Sequence, residues 1–82
     1  MKLTPGEIKR RILKVLQGLG RPAGSSQIGR QLHGWGVDLG ERSIRLYLQQ
    51  LDAEGFTKLQ SRRAGRVLTA KGRAEVDQSA VM

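Results

Sequence analysis

The stretch between Gly40 and Gly55 constrains the fold most, because it predicts one helix with a defined start and end. Gly40 is suited to the N-cap position, and Glu41 places a negative charge at the positive end of the helix dipole. Gly55 is suited to the left-handed residue that terminates a helix. Apolar side chains recur between them at helical spacing and form one narrow stripe of Ile44, Leu48 and Leu51. The sequence therefore predicts an amphipathic helix over residues 41–54 that packs one face on a core.

The opposite face of this helix is basic and rich in hydrogen-bonding groups. It presents, at its centre and on its flanks, Arg42, Ser43, Arg45, Leu46, Gln49 and Gln50. Arginine recognises guanine edges and glutamine recognises adenine edges, while leucine or serine can contact a thymine methyl or a base edge. The face is thus a candidate recognition surface for duplex DNA. The alternative is an ordinary amphipathic helix whose polar face is only solvated.

The charge balance narrows the class of partner. The chain has 82 residues and a formal net charge of +8, with a sequence pI of about 11.2. A small domain this basic favours polyanions, with nucleic acid first and an acidic membrane surface second. It has no cysteine, so it forms no disulfide or thiolate metal site, as suits a reducing cytosol. No apolar run approaches the roughly 20 residues of a membrane span.

Two further helices are expected before this one. Thr4, Pro5 and Glu7 predict a capped start for the first helix, in which Leu13 falls off the main apolar stripe and is expected to be partly exposed. Residues 21–24 form a connector with a very short strand. A short second helix follows, and Gly29 within it suggests close approach of another helix.

A basic hairpin follows the third helix. Residues 56–60 and 66–69 are strand-like, and the polar loop between them carries Arg62 and Arg63. With Arg66, these arginines are candidate phosphate contacts on a wing over about residues 60–66. Thr69 is the expected cap of a last, weakly apolar helix that frays toward Met82. The order helix–helix–helix–hairpin–helix predicts an α+β winged helix-turn-helix, as a single domain over residues 1–82 with a core of about 4–78.

The remaining polar residues suggest little further chemistry. Ser25, Ser26 and Gln27 open the second helix, whose first amides could hold a phosphate, although capping alone explains them equally well. His33 lacks ligand partners, and Trp35 is expected to be a partly buried plug on the turn after the second helix. No nucleophile–base pair, paired carboxylate or phosphate-cradling glycine motif is present. We expect no enzyme activity, cofactor or metal.

Four segments carry a resemblance to a known family. They are Ile28-Gly29-Arg30-Gln31-Leu32, Gly40-Glu41-Arg42-Ser43-Ile44-Arg45, Leu51-Asp52-Ala53-Glu54-Gly55-Phe56-Thr57 and Gly65-Arg66-Val67-Leu68-Thr69-Ala70-Lys71-Gly72. They resemble the ribonuclease R winged-helix domain family, above all the DNA-binding domain of the archaeal nitrogen regulatory repressors. The resemblance implies a winged helix, a DNA-binding role in transcription regulation as a repressor, a cytoplasmic location, and further effector domains as partners. Leu46 and Tyr47 stand where the family often has aromatic or histidine residues, so no operator sequence carries over.

Two other functions remain open from the sequence. One is an RNA-binding accessory module of a ribonuclease-like protein, although a single Trp, Tyr and Phe offer few stacking platforms. The other is a protein-interaction winged helix, which would need an exposed apolar patch around Leu13, Trp35 and Leu46. As a fragment, the chain is expected to be a monomer or at most a weak homodimer, because its last helix is poor in large apolar residues.

Overall fold

Four helices and one hairpin make up the fold. The computed structural model describes residues 3–80 and, at its C-terminal end, side chains as far as Asp77. In chain order the elements are α1 (Pro5–Leu19), α2 (Ser25–Gly34), α3 (Glu41–Ala53), β1 (Thr57–Ser61), β2 (Gly65–Leu68) and α4 (Ala70–Ala80). This order confirms the predicted helix–helix–helix–hairpin–helix arrangement of a winged helix. The fraying expected toward Met82 lies outside the described residues.

Helix α1 begins at the predicted cap and lies at the centre of the molecule. The Glu7 amide donates to Thr4 Oγ1 at 3.2 Å, and Pro5 occupies the first turn. The prediction for Leu13 is wrong, because this side chain is only 2% exposed. Helix α1 contacts α2, α3, β2 and α4. Its buried surface is therefore wider than the single stripe that periodicity defines, and Leu13 lies within it.

The close approach predicted at Gly29 is present between α2 and α3. A Cβ atom placed on Gly29 would lie 3.0 Å from Cδ1 of Ile44. The two helices thereby enclose the best-buried part of the core, whose fully buried side chains are Ile12, Ile28, Leu32, Ile44, Leu48 and Leu51. Helix α3 then ends as predicted, with Gly55 in the left-handed region at φ 85°.

The hairpin pairs β1 and β2 in antiparallel register, with Thr57 opposite Leu68 and Leu59 opposite Arg66. The strands lie one residue away from the predicted bounds, and their pairing has an irregularity between Leu59 and Ser61. Ala23 forms an isolated antiparallel bridge with Arg66, which confirms the short strand expected in the connector. The hairpin is therefore joined by main-chain hydrogen bonds to the segment that precedes α2.

The last helix is fixed at its start by Thr69. The Gly72 amide donates to Thr69 Oγ1 at 3.1 Å, and the same hydroxyl donates to the Gly55 carbonyl at 2.6 Å. Helix α4 packs on α1 and buries Val76. This packing covers part of α1, and the outer face of α3 stays exposed.

Candidate nucleic-acid interface

Helix α3 divides cleanly into a buried stripe and an open polar face. Its three stripe residues are at most 1% exposed. On the opposite side Ser43 is half-buried, and the exposed side chains are Arg42, Arg45, Leu46, Gln49 and Gln50. The predicted face is therefore accessible along its length, which is the condition for entering a DNA groove. Contact with bases stays a prediction.

The cations of α3 are held only weakly. Arg45 Nε donates to Ser25 Oγ at 3.4 Å, and Arg45 Nη2 lies 3.5 Å from Glu41 Oε2. Both partners in this ion pair are more than half exposed, and such surface pairs contribute little stability. Among the described side chains, which extend to Asp77, no group pairs with the Arg42 guanidinium. Both arginines can therefore turn toward a ligand at small cost.

A groove of 290 Å³ runs between α3 and the hairpin. Its walls come from the start of α2, the outer face of α3 and both strands, and they consist of Gly24, Ser25, Arg45, Gln49, Leu59, Arg62, Gly65 and Arg66. The lining contains three arginines and no carboxylate. The groove is therefore a concave, basic surface shared by α3 and the hairpin. We call it the α3–wing groove.

The tip of the hairpin, which we call the wing tip, is cationic and exposed. Arg62 and Arg63 lie in the turn between the strands, and both side chains are open to solvent. The Ala64 amide donates to Ser61 Oγ at 2.9 Å and closes the turn. Among the described residues no acid pairs with either arginine. This arrangement leaves both charges available for phosphate groups.

Arg66 differs from the other predicted wing contacts. Its Nε donates to both carboxylate oxygens of Asp52, at 3.0 and 3.2 Å, and its side chain is only 20% exposed. Sequence reasoning did not single out Asp52, although an acid in the last turn of a helix with a basic outer face was a visible signal. It also missed Leu59, a 49% exposed apolar residue in the groove. Only the pairing of Leu59 with Arg66 across the hairpin brings it there.

The start of α2 contributes to the groove through one of its three candidate residues. Ser25 lines the α3–wing groove, whereas Ser26 and Gln27 do not. Ser26 is exposed and Gln27 is half-buried in the same first turn. Gly24 is the N-cap, and no side chain caps this helix. The phosphate contact suggested for Ser26 and Gln27 stays a prediction.

Other candidate chemistry is confined to the surface. The His33 ring lies 3.8 Å from the Asp38 carboxylate, and both side chains are exposed. Trp35 is 47% exposed, so it is less buried than the sequence suggested. Residues 3–80 contain no cluster of three potential metal-ligating side chains. In the same range, no helix combines the length and the apolar character needed to cross a membrane.

Comparison with known proteins agrees with this architecture. Residues 10–76 match the ribonuclease R winged-helix domain. The chain belongs to this family. The match covers α2, α3 and both strands in full, so all parts of the α3–wing groove lie within the family's domain.

Three similar curated proteins are archaeal proteins named as global nitrogen regulators. The chain is 36% identical over 70 residues to the global nitrogen regulator NrpRI of Methanosarcina mazei, covering 85% of this chain and 21% of that protein. It is 32% identical over 76 residues to NrpR of Methanocaldococcus jannaschii, covering 89% of this chain and 14% of the relative. For NrpR of Methanococcus maripaludis the identity is 35% over 68 residues, covering 83% of this chain and 12% of that protein.

These relatives are much longer than the region they share with this winged-helix chain. The shared region is about a fifth of one relative and less of the other two. All three are named as regulators, and none is named as an enzyme. No solved structure matches the chain significantly.

Proposed function

We propose that this winged-helix chain is the sequence-specific duplex-DNA-binding domain of a transcription regulator. The observation that carries the proposal is the α3–wing groove, in which Arg45 and Gln49 of α3 lie beside Arg62 of the wing. A helix in the major groove with a wing on the flanking phosphates uses such a continuous basic surface. The names of the three regulator relatives support the same role.

The proposed docking assigns different tasks to α3 and to the wing. The 13 residues of α3 span about 20 Å, and a helix of this kind fits the roughly 12 Å width of the major groove. Arg42, Arg45 and Gln49 then contact base edges, because they occupy the exposed face. Arg62 and Arg63 at the wing tip contact phosphates and hold the domain in register.

Repression is the direction of regulation that we propose. A domain bound to a site that overlaps the polymerase site blocks polymerase by exclusion, and this requires no activating contact surface. A defined transcription reaction tests the direction. A promoter carrying the selected site should give less transcript as the protein is added, whereas a promoter with a scrambled site should not respond. An increase in transcript from the first promoter would contradict repression.

Competition binding tests the docking itself, after selection of a preferred site from random duplex DNA. Replacing Arg42, Arg45 or Gln49 by Ala should cost about 1–3 kcal/mol on the preferred site and little on random DNA. Replacing Arg62 or Arg63 should weaken all duplexes alike and reduce the salt slope by about one unit each. Lys14→Ala is the matched control, because it removes an exposed cation of α1 outside the groove.

RNA provides the opposing outcome of this experiment. A major-groove helix cannot enter the deep, narrow groove of an RNA duplex, so RNA should compete no better than random DNA. The docking is wrong if the α3 variants lose specific and random DNA equally while RNA displaces both. The RNA-binding module would then be the better account of this surface.

A further inference from the structure

We propose that Asp52 is a positioning residue that fixes the wing against α3 and keeps Arg66 away from DNA. The inference rests on the proposed DNA-binding function. Asp52 lies in the last turn of α3, and its carboxylate reaches both strands of the hairpin. It accepts from Arg66 Nε of β2 at 3.0 and 3.2 Å and from Thr57 Oγ1 of β1 at 2.5 Å. One carboxylate therefore joins three elements, and we call these three side chains the Asp52 clamp.

Burial makes the clamp stronger than an ordinary surface pair. The Asp52 and Arg66 side chains are 30% and 20% exposed, and Thr57 is only 3% exposed. Water and salt screen such a pair less than an exposed one. Removing one partner also leaves the other charge half-buried without compensation. The clamp thus favours one orientation of the hairpin on the end of α3.

The main chain holds Arg66 in the same place. Its amide donates to the Ala23 carbonyl at 2.9 Å, and its carbonyl accepts from the Ala23 amide at 3.0 Å. Gly65 beside it touches the same segment, because an added Cβ would lie 2.3 Å from the Ala23 carbonyl atoms. The backbone of Arg66 is therefore held in place without DNA, and Asp52 balances the charge of its side chain where that side chain lines the α3–wing groove.

This arrangement separates two kinds of arginine in the α3–wing groove. Arg45 and Arg62 are open and can neutralise phosphates, whereas Arg66 is held by Asp52 and maintains the spacing between α3 and the wing. Simultaneous contact of α3 with bases and of the wing with phosphates requires that spacing. A domain already held in this geometry loses less conformational freedom on binding. The clamp therefore contributes to discrimination between sites rather than to general affinity.

The test compares Asp52→Asn, Arg66→Gln and the double variant on the selected site and on random DNA. Asp52→Asn releases the Arg66 cation, so random DNA should bind more tightly, with a salt slope steeper by about one unit. Arg66→Gln leaves the Asp52 carboxylate unbalanced beside the groove, so all DNA should bind more weakly. The double variant keeps the wild-type net charge without the clamp. Its slope should equal that of the wild type, while its preference for the selected site falls several-fold.

One outcome would overturn the assignment of Arg66. If the double variant has a slope flatter than wild type by about one unit, Arg66 neutralises a phosphate itself. Undiminished preference for the selected site in the double variant would also refute the positioning role of Asp52.

A measurement without DNA tests the clamp independently of the proposed function. The chain has no cysteine, so spin labels can be attached to cysteines introduced at Gln50 on α3 and Arg63 at the wing tip. The distance distribution between the labels should broaden with Asp52→Asn. Glu41→Gln is the matched control, because it removes an exposed Glu–Arg pair from the same helix and should leave the distribution unchanged. If Asp52→Asn fails to fold, Thr57→Val removes one clamp hydrogen bond and should broaden the distribution less.

The two proposals fail in different ways. Identical distributions for wild type and the clamp variants would overturn the clamp, whatever the protein binds. Absence of duplex binding by the wild type would overturn the DNA-binding function, and the label distances would still decide whether Asp52 positions the wing.

Discussion

At the scale of single residues, the cations fall into two groups: those that bind a protein partner on another element and those that are open to solvent. Lys9 pairs with Glu54 at 3.1 Å, Arg66 pairs with Asp52, and Lys71 donates to the Glu54 carbonyl at 2.9 Å. These charges hold helices and strands together. Arg62 and Arg63 lie at the exposed wing tip instead. The position of each cation, more than the net charge, therefore indicates which ones are available to a polyanion.

The buried side of α3 supports a prediction about stability. Leu48→Ala should lower the free energy of unfolding by about 2–5 kcal/mol, because Leu48 is fully buried and its removal leaves a cavity. Leu46→Ala on the same helix is the control, since Leu46 is 52% exposed and should cost much less. Thermal and urea unfolding of both variants measure the difference. Equal costs would show that the buried face of α3 is assigned wrongly.

At the scale of elements, the hairpin depends on one glycine. Gly65 has φ 99°, and a Cβ there would lie 2.3 Å from the Ala23 carbonyl atoms. Gly65→Ala should therefore destabilise the wing, both through backbone strain and by forcing β2 away from Ala23.

Gly18→Ala in α1 is the opposite case, because nothing lies within 4 Å of its added Cβ. That change should stabilise the protein by about 0.5–1 kcal/mol.

Hydrogen exchange and unfolding distinguish these two glycine variants. Gly65→Ala should speed exchange of the Ala23 and Arg66 amides, which pair with each other across the bridge. With Gly18→Ala, the exchange rates of these two amides should be unchanged or reduced. Equal protection of the bridge amides in both variants would show that the close approach at Gly65 does not determine the stability of the bridge.

The elements themselves were predictable because their signals are local. Thr4, Gly40, Gly55 and Thr69 mark helix boundaries through interactions within a few residues, and the structure uses each of them there. The burial of Leu13 was not predictable from periodicity, because it depends on which elements cover α1. The one-residue displacement of the strands was likewise not predictable, because strand bounds depend on how two separate segments pair.

The candidate site was predictable in part, for a similar reason. Helical spacing alone predicts which face of α3 is exposed. It also places the arginines and glutamines of the helix on that face. The partners of Arg66 and the place of Leu59 in the groove require contacts between residues distant in sequence. Asp52 and Arg66 are 14 residues apart, and only the hairpin brings them together. Long-range pairing therefore decides which of the predicted residues remain available.

At the scale of the whole molecule, we predict that this chain is a monomer at tens of micromolar. A stable interface typically needs about 800 Å² from each partner, which is about one seventh of the 5613 Å² surface here. The large exposed apolar residues Trp35, Leu46 and Leu59 lie in the turn after α2, on α3 and on β1, and Leu13 and Val76 are buried. The described surface thus lacks a broad apolar patch. Sedimentation showing only a tight dimer would contradict this prediction.

The distribution of charge gives the last prediction, which concerns binding as a whole. The chain carries +8, and open arginines lie on both α3 and the wing tip. If DNA binding neutralises about 4–6 phosphates, the logarithm of the binding constant should fall with the logarithm of salt concentration with a slope of about −4 to −5. Fluorescence anisotropy with a labelled random duplex measures this slope, and circular dichroism over the same salt range confirms that the protein stays folded. A flat response would mean that the exposed arginines do not meet the phosphate backbone, because release of condensed counterions accompanies every such contact.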